Sequence, residues 1–439
     1  MQGGGGPEAG RLTIAGGRLV DPATGRDGPA DVHCADGFVV GIGEAPPGFA
    51  AERVVDARGL VVCPGLVDLS ARLREPGFEY KATLESEMQA ALAGGVVRLV
   101  CPPDTDPPLD EPGLVEMLKH RARSLARTHL YPLGALTVGL KGEVITEMAE
   151  LAEAGCVGFS QANVPLVDTQ VLARAMQYAK SFGFTVWLQP QDGFLSRGGV
   201  AHSGPVSGRL GLPGVPVTAE TVALHTLFEL VRANGCRVHL CRISSAAGVA
   251  LVRAAKREGL PVTADVAVHH LHVTDVDIGF YDTPCRVDPP FRTQRDRDAL
   301  GAALADGTLD AVCSDHTPVD DDAKLVPFGE AEPGATGLEL LLPLTLSWAR
   351  RAGVPLLDAV SRLTRDAERI ARCGGGSLAP GAPADVCVFD PDEAWVVSAE
   401  TLLSQGRHTP FARREVQGRV RATVVGGRVA FERPVPVRR

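Results

Sequence analysis

The sequence predicts an α/β protein: a (β/α)8 barrel with a small β-sandwich assembled from both chain ends. Three observations lead there. Between residues 64 and 373, short apolar runs alternate with stretches of helical period, the signature of repeated βαβ units. Both ends of the chain carry only short strands and turns. The length, 439 residues with 50 glycines and 33 prolines, allows a large core and many loops.

Residues 1–10 open Met-Gln-Gly-Gly-Gly-Gly-Pro and have neither the basic start nor the apolar run of a targeting peptide, so a flexible tail is expected. Residues 11–63 read as short strands, among them Leu12-Thr-Ile-Ala, Asp31-Val-His-Cys and Phe38-Val-Val-Gly-Ile. Asp36-Gly37 is a tight hairpin signal between two of them, and a small antiparallel unit is expected. Within 64–373, Val96-Val-Arg-Leu-Val-Cys follows a helical run through Leu84 to Ala93. Gly183-Phe-Thr-Val-Trp-Leu follows Thr169 to Ser181, and Val238-His-Leu-Cys follows Ala219 to Ala233. Pro261-Val-Thr-Ala-Asp-Val follows Val249 to Arg257, Leu309-Asp-Ala-Val-Cys-Ser follows Arg295 to Ala305, and a helical stretch runs from Leu356 to Ala371. With further strands near Val67, Leu130 and Cys156, the count approaches a closed barrel. Residues 374–439 return to strands at Ala384-Asp-Val-Cys-Val-Phe-Asp, Val420-Arg-Ala-Thr-Val-Val and Arg428-Val-Ala-Phe. Neither end alone has enough strands to bury a face, so the two are expected to pair into one sandwich.

A formal net charge of −9 argues against a nucleic acid or an anionic membrane as partner. No run of apolar residues is long enough to span a bilayer, and a cytoplasmic protein is expected. The ten cysteines include no CxxC pair, so they read as buried reduced thiols rather than a zinc ribbon or redox motif.

In a barrel of this kind the chemistry sits just beyond the C-terminal ends of the strands. Pro64-Gly-Leu-Val-Asp-Leu…Leu73-Arg-Glu-Pro-Gly has the form of a first strand, followed by Cys101-Pro-Pro-Asp-Thr-Asp-Pro-Pro and Arg209-Leu-Gly-Leu-Pro-Gly-Val-Pro. Val262-Thr-Ala-Asp-Val…His269-His-Leu, Tyr281-Asp-Thr…Asp288-Pro-Pro-Phe-Arg, Asp315-His-Thr-Pro and Gly376-Ser-Leu-Ala-Pro-Gly…Ala384-Asp complete the series. In this order, from about Gly16 to Val429, the chain resembles the dihydroorotases of the amidohydrolase superfamily.

That resemblance implies hydrolysis of a cyclic amide at a binuclear zinc site, where the metals lower the pKa of a bridging water. It also implies where ligands should stand, and they are missing. Ser70 and Arg72 replace the two first-strand histidines, Gln161 and Ala162 stand where a bridging carboxylate is due, and Gln189 and Arg242 replace two further ligands. Only Asp315, at the position of the last-strand catalytic Asp, survives, and one carboxylate does not hold zinc against water. No cofactor is expected. Arg74 remains at the position that holds the substrate carboxylate, while Asp104 and Asp288 replace asparagines, so a carboxylate ligand would meet like charge. Asp315 is expected to pair with Arg72 or Arg242, because a buried carboxylate needs a partner. His239, His269 and His270 read as structural, and His202 and His225 are given no role.

The resemblance extends to the inactive homologues that assemble with aspartate carbamoyltransferase in pyrimidine biosynthesis. It implies a structural subunit in a mixed oligomer with that enzyme's catalytic chain, roughly six of each. The alternatives are a weak cyclic amidohydrolase working through Asp315 and Arg74, and an anion-sensing module built on the basic remnant of the pocket.

Overall fold

The computed structural model describes residues 10–125 and 127–434. The stretch read as a flexible tail lies outside the described residues except for Gly10.

Among the described residues, eight parallel strand positions form a barrel: Leu66–Asp68, Val96–Cys101, His129–Pro132 continued by Gly134–Ala135, Phe159–Ser160, Thr185–Leu188, Arg237–Leu240, Val262–Ala267 and Ala311–Cys313. The third strand pairs with the second through His129–Pro132 and with the fourth through Gly134–Ala135, turning the corner at Leu133. The eighth meets the first just beyond their ends, where Ala71 bridges His316, Arg72 N donates to His316 O (2.8 Å) and His316 N donates to Ser70 O (3.1 Å). The stretch around Ser70 and Arg72 is therefore the seam that closes the barrel.

The helices between the strands follow their sequence signals. Leu84–Ala93 begins at Thr83, whose hydroxyl accepts from Ser86 N while Ser86 Oγ caps Thr83 N, so two otherwise orphaned donors are satisfied. Thr169–Phe182 starts at Asp168, which accepts from Gln170 N and Val171 N, and stops at Gly183 with φ of 72°. It turns Leu172, Ala175, Met176 and Ala179 inward, the i, i+3, i+4, i+7 face of an amphipathic helix. Full burial of a side chain such as Leu172 or Met176 stabilises by about 1.5–3 kcal/mol.

The expected single helical stretch from Leu356 to Ala371 is two helices, Leu356–Leu363 and Arg365–Ala371, broken at Thr364. Thr364 Oγ1 donates back to Val360 O and Ser361 Oγ donates to Asp366, so local side-chain bonds compete with the helical ladder. Three helices not read from the sequence, Pro112–Leu125, Met148–Ala154 and Leu341–Ala352, complete the ring; the last buries eight of its residues.

Both chain ends meet in one sheet. Val386–Val396 pairs antiparallel with Val61–Pro64 on one side and with Glu415–Val425 on the other. Arg428–Glu432, Arg18–Asp21 and Arg26–Pro29 extend this sheet to six strands. A four-stranded sheet, Phe38–Ile42, Val32–Ala35, Leu12–Ala15 and Arg53–Asp56, packs on it through Ile14, Val32, Val62, Val386 and Val424. The N-terminal strands do not form the small antiparallel unit expected of them. They are divided between both sheets, and Leu12–Ala15 pairs parallel with Arg53–Asp56, as Arg18–Asp21 does with Val61–Pro64, because the chain crosses from sheet to sheet between them. The Asp36-Gly37 turn forms as its residues dictate, both in the left-handed region at φ of 54° and 85°.

All ten cysteines are free, and nine are buried. No described helix is long and apolar enough to cross a membrane.

Candidate functional site: the mouth of the barrel

The C-terminal ends of the strands carry polar side chains that converge from seven of the eight loops. Several are held there by unusual backbone. Arg74, Ala162, Arg242 and Asp315 all have φ between 48° and 63°, a region L-residues seldom adopt without surrounding support. Arg242 gains that support from its own N–H, which donates to Asp265 Oδ1 at 2.5 Å. Asp68, buried at the end of the first strand, ties it to the eighth by accepting from Ser314 N (2.8 Å) and Ser314 Oγ.

Two guanidinium groups occupy the centre. Arg242 Nη1 donates to Asp315 Oδ1 at 2.8 Å, and its Nη2 donates to Asn163 Oδ1 (2.6 Å) and Gln189 Oε1 (2.7 Å). Arg72 donates from Nε to Asp104 Oδ2 (2.7 Å), from Nη1 to Thr317 Oγ1 (3.1 Å) and from Nη2 to Asn163 Oδ1 (2.8 Å). Its Nη1 also stands 3.5 Å from Asp315 Oδ1. Asp315 thus pairs with both arginines, at two different distances. Asn163 is the hinge between them: its oxygen faces two cations and its Nδ2 donates to Asp288 Oδ2 at 3.1 Å, which fixes the orientation of the amide. Gln189 Nε2 reaches Asp288 Oδ1 at 3.4 Å. Arg72, Arg242 and Asp315 are each about 5% exposed or less, so the pairs are little screened by water.

The charges tune one another. Burial opposes the charge of Arg242, yet Asp315 and its neighbours hold it firmly protonated. Burial pushes the Asp104 carboxyl up, but Arg72 and Arg74 outweigh it and the pKa ends below the usual range. Asp288 is raised by burial, with Arg242 and Arg286 opposing. His269 is lowered to about 4 by burial, although Asp315 lies 3.8 Å from its Nε2.

Most of the residues singled out from the sequence come together here, with three corrections. Gln161 turns away from the arginines: its Oε1 accepts from Thr137 Oγ1 (3.0 Å) and its Nε2 donates to Leu140 O (2.7 Å), so it anchors a neighbouring loop. Asp104 does not meet an incoming ligand as an uncompensated like charge, because Arg72 neutralises it at 2.7 Å. Arg74 is not wholly free for an anion: its Nε donates to Pro318 O at 2.8 Å, and burial together with Arg72 lowers its pKa. Ser70 lies on the barrel seam with its carbonyl accepting from His316 N.

The histidines divide by environment. His239 is buried between Thr263 Oγ1 (2.9 Å) and Asp265 Oδ2 (3.2 Å). His270 Nε2 donates to Pro289 O at 3.1 Å, and His269 packs edge-on against Phe291. His202 Nδ1 accepts from Arg292 Nη1 at 3.2 Å, and His225 is exposed on the helix Val217–Asn234. Sequence reasoning assigned nothing to Asn163, Thr317 or the buried pair His316–Glu87 (2.6 Å). The Asn163 role depends on a loop folding back across the mouth at Ala162, for which the sequence carries no signal.

A metal pair does not fit these side chains. A guanidinium has no lone pair to donate, and two of them occupy the centre of the mouth. Among the described residues no group of three or more His, Cys, Asp or Glu is arranged to hold a metal ion.

A closed parallel barrel with its polar groups at the strand C-termini and a two-sheet domain built from both chain ends is the architecture of the amidohydrolases. The L-hydantoinase (dihydropyrimidinase) from Arthrobacter aurescens superimposes with a TM-score of 0.86, covering 97% of this chain and 96% of that one, at 23% identity, a likeness of fold. Residues 59–247 match the dihydro-orotase-like family and residues 205–431 the amidohydrolase family. A "dihydroorotase-like protein" of Pseudomonas putida is 43% identical over 95% of this chain and 98% of its own length. A protein named dihydroorotase from Geobacter sp. (strain M21) is 39% identical over 96% and 99%. The chain belongs to the dihydroorotase-like family of amidohydrolases.

Proposed function

We propose that this chain is a non-catalytic member of its family, kept for its shape, and that it serves in the cytoplasm as an assembly subunit for the catalytic chain of aspartate carbamoyltransferase. The observation that supports the loss of chemistry is the pair Arg72 and Arg242, whose guanidinium groups share Asn163 Oδ1 and hold Asp315. Hydrolysis of an amide at neutral pH needs a nucleophile generator, and in this family that is water on a metal pair. Here Asp315, the residue the resemblance would make the base, is engaged by two cations instead. A retained barrel with a filled mouth is what a binding role leaves behind, since core and surface stay constrained while ligand positions drift. The partner rests on the family resemblance, and no nucleic acid or membrane is needed to explain the chain.

Co-expression with the transferase chain followed by sedimentation tests the assembly role; a mixed complex is expected, and failure to co-migrate sinks it. A second reading, residual cyclic amide hydrolysis, draws support from relatives such as the Geobacter protein that carry the name dihydroorotase. Near-stoichiometric zinc in purified protein, or turnover of dihydroorotate, would establish it in place of the first.

A further inference from the structure

At the opposite end of the barrel from the mouth, a cavity of about 340 Å³ lies between the helix Pro112–Leu125 and the start of the third strand. Lys119, Arg123, Arg127 and His129 line it, with Tyr131 and Val425 among its less polar walls, and no carboxylate is among its lining residues. We infer that this cavity is a binding site for a small phosphate-bearing anion, with the two phosphate-facing walls supplied by the helix and by the 127–129 segment.

The partners of the four basic groups leave positive charge unspent. Lys119 Nζ donates only to a neutral acceptor, Gly155 O, at 3.4 Å. Arg123 has no hydrogen-bond or ion-pair partner among the described residues and is exposed. Arg127 pairs with Glu85 at 2.9 Å and donates to Gln89 Oε1, and His129 Nε2 lies 3.2 Å from Asp385 Oδ2. A basic residue in the last turn of a helix complements the helix dipole, which accounts for Arg123. It does not account for Lys119 one turn earlier, nor for Arg127 and His129, which come from beyond the helix and face the same space. In a chain of net charge −9, Lys119 and Arg123 from the helix and Arg127 from the segment after it face one space, and of these three only Arg127 has a carboxylate partner, so the charge there is locally inverted in sign. Phosphate suits it: several donors at different angles match a tetrahedral anion, whose charge also relieves the mutual repulsion of the cations. The partly apolar wall formed with Tyr131 and Val425 gives an attached organic group a surface to pack on.

The site touches the seam between barrel and sandwich. Asp385, which holds His129, also pairs with Arg98 Nη2 (2.7 Å) and accepts from Gly426 N (2.7 Å) in the C-terminal sheet. An anion bound there adds to the contacts that join the two units.

Isothermal titration of the full chain with inorganic pyrophosphate tests the inference. Saturable one-to-one binding that weakens as ionic strength rises is expected. Lys119→Gln with Arg123→Gln should lower affinity about tenfold or more, whereas Arg350→Gln with Arg351→Gln, a basic pair elsewhere on the surface, should leave it unchanged. If the first double variant fails to fold by circular dichroism, Arg123→Gln alone, at an exposed position, carries the same comparison with a smaller drop. Absence of saturable heat, or equal affinity in all variants, overturns the site.

Discussion

Replacing Arg242 by Met removes the guanidinium that binds Asp315, Asn163 and Gln189 and leaves the rest of the mouth in place. Asp315 then keeps only Arg72 at 3.5 Å and the neutral His269 at 3.8 Å. Breaking a buried ion pair by deleting one partner costs about 3–5 kcal/mol, and the remaining Arg72 places this case near the lower end, about 3 kcal/mol. Asp315→Asn removes the charge while keeping the shape and a side chain that tolerates its φ of 48°. It strands Arg242 and should cost a similar amount. The double variant removes both charges at once, so its cost should fall short of the sum of the singles by about 2 kcal/mol. Urea unfolding followed by circular dichroism gives the three midpoints. If the single variants and the double add within about 0.5 kcal/mol, the two side chains are not coupled and the account of a charge-filled mouth fails.

Three further expectations follow. Purified protein should hold far less than one zinc per chain, and a chelator should leave its unfolding midpoint unmoved, because the arginines offer no lone pairs to a metal; a chelator-sensitive midpoint would contradict this. For His269 the folded pKa is about 4 and the unfolded about 6.5, so as pH falls the unfolded chain takes up its proton first. The stability that this difference confers is complete above pH about 6.5 and is lost progressively down to about 4, amounting to at most about 3 kcal/mol at ~1.4 kcal/mol per unit. His269→Asn should flatten the stability profile across that window, and an unchanged profile would place the titration elsewhere. Gly95→Ala puts a Cβ 2.4 Å from Cys387 Sγ on a backbone with φ of 78°, where barrel and sandwich meet. A loss of about 2 kcal/mol is expected, and a thermal midpoint equal to the parent's would show that the contact yields freely.

Much of this molecule is written locally. The alternation of apolar runs with helical period marks the barrel because a strand turns its side chains every second residue and a helix every 3.6, and the two patterns do not imitate each other. In the fold Thr83 and Asp168 cap helix starts and Gly183 a stop, each satisfying or freeing particular backbone groups within a few residues. The replacements at Ser70, Arg72, Gln189 and Arg242 are equally legible, since a residue type states what lone pairs and charges it can offer.

What those replacements do to one another was settled only by the fold. Arg72 and Asp315 are 243 residues apart in sequence by their numbering, and they meet because the first and eighth strands share the closing seam. Gln161 stood in the same category as Gln189 until the loop geometry sent one toward Leu140 and the other toward Arg242. Asn163 bridges the two guanidinium groups because the backbone at Ala162 turns through a positive φ. Composition and spacing specify which groups are available; whether a buried charge finds its counter-charge depends on distances of a few ångströms between distant segments, and those exist only once the barrel has closed.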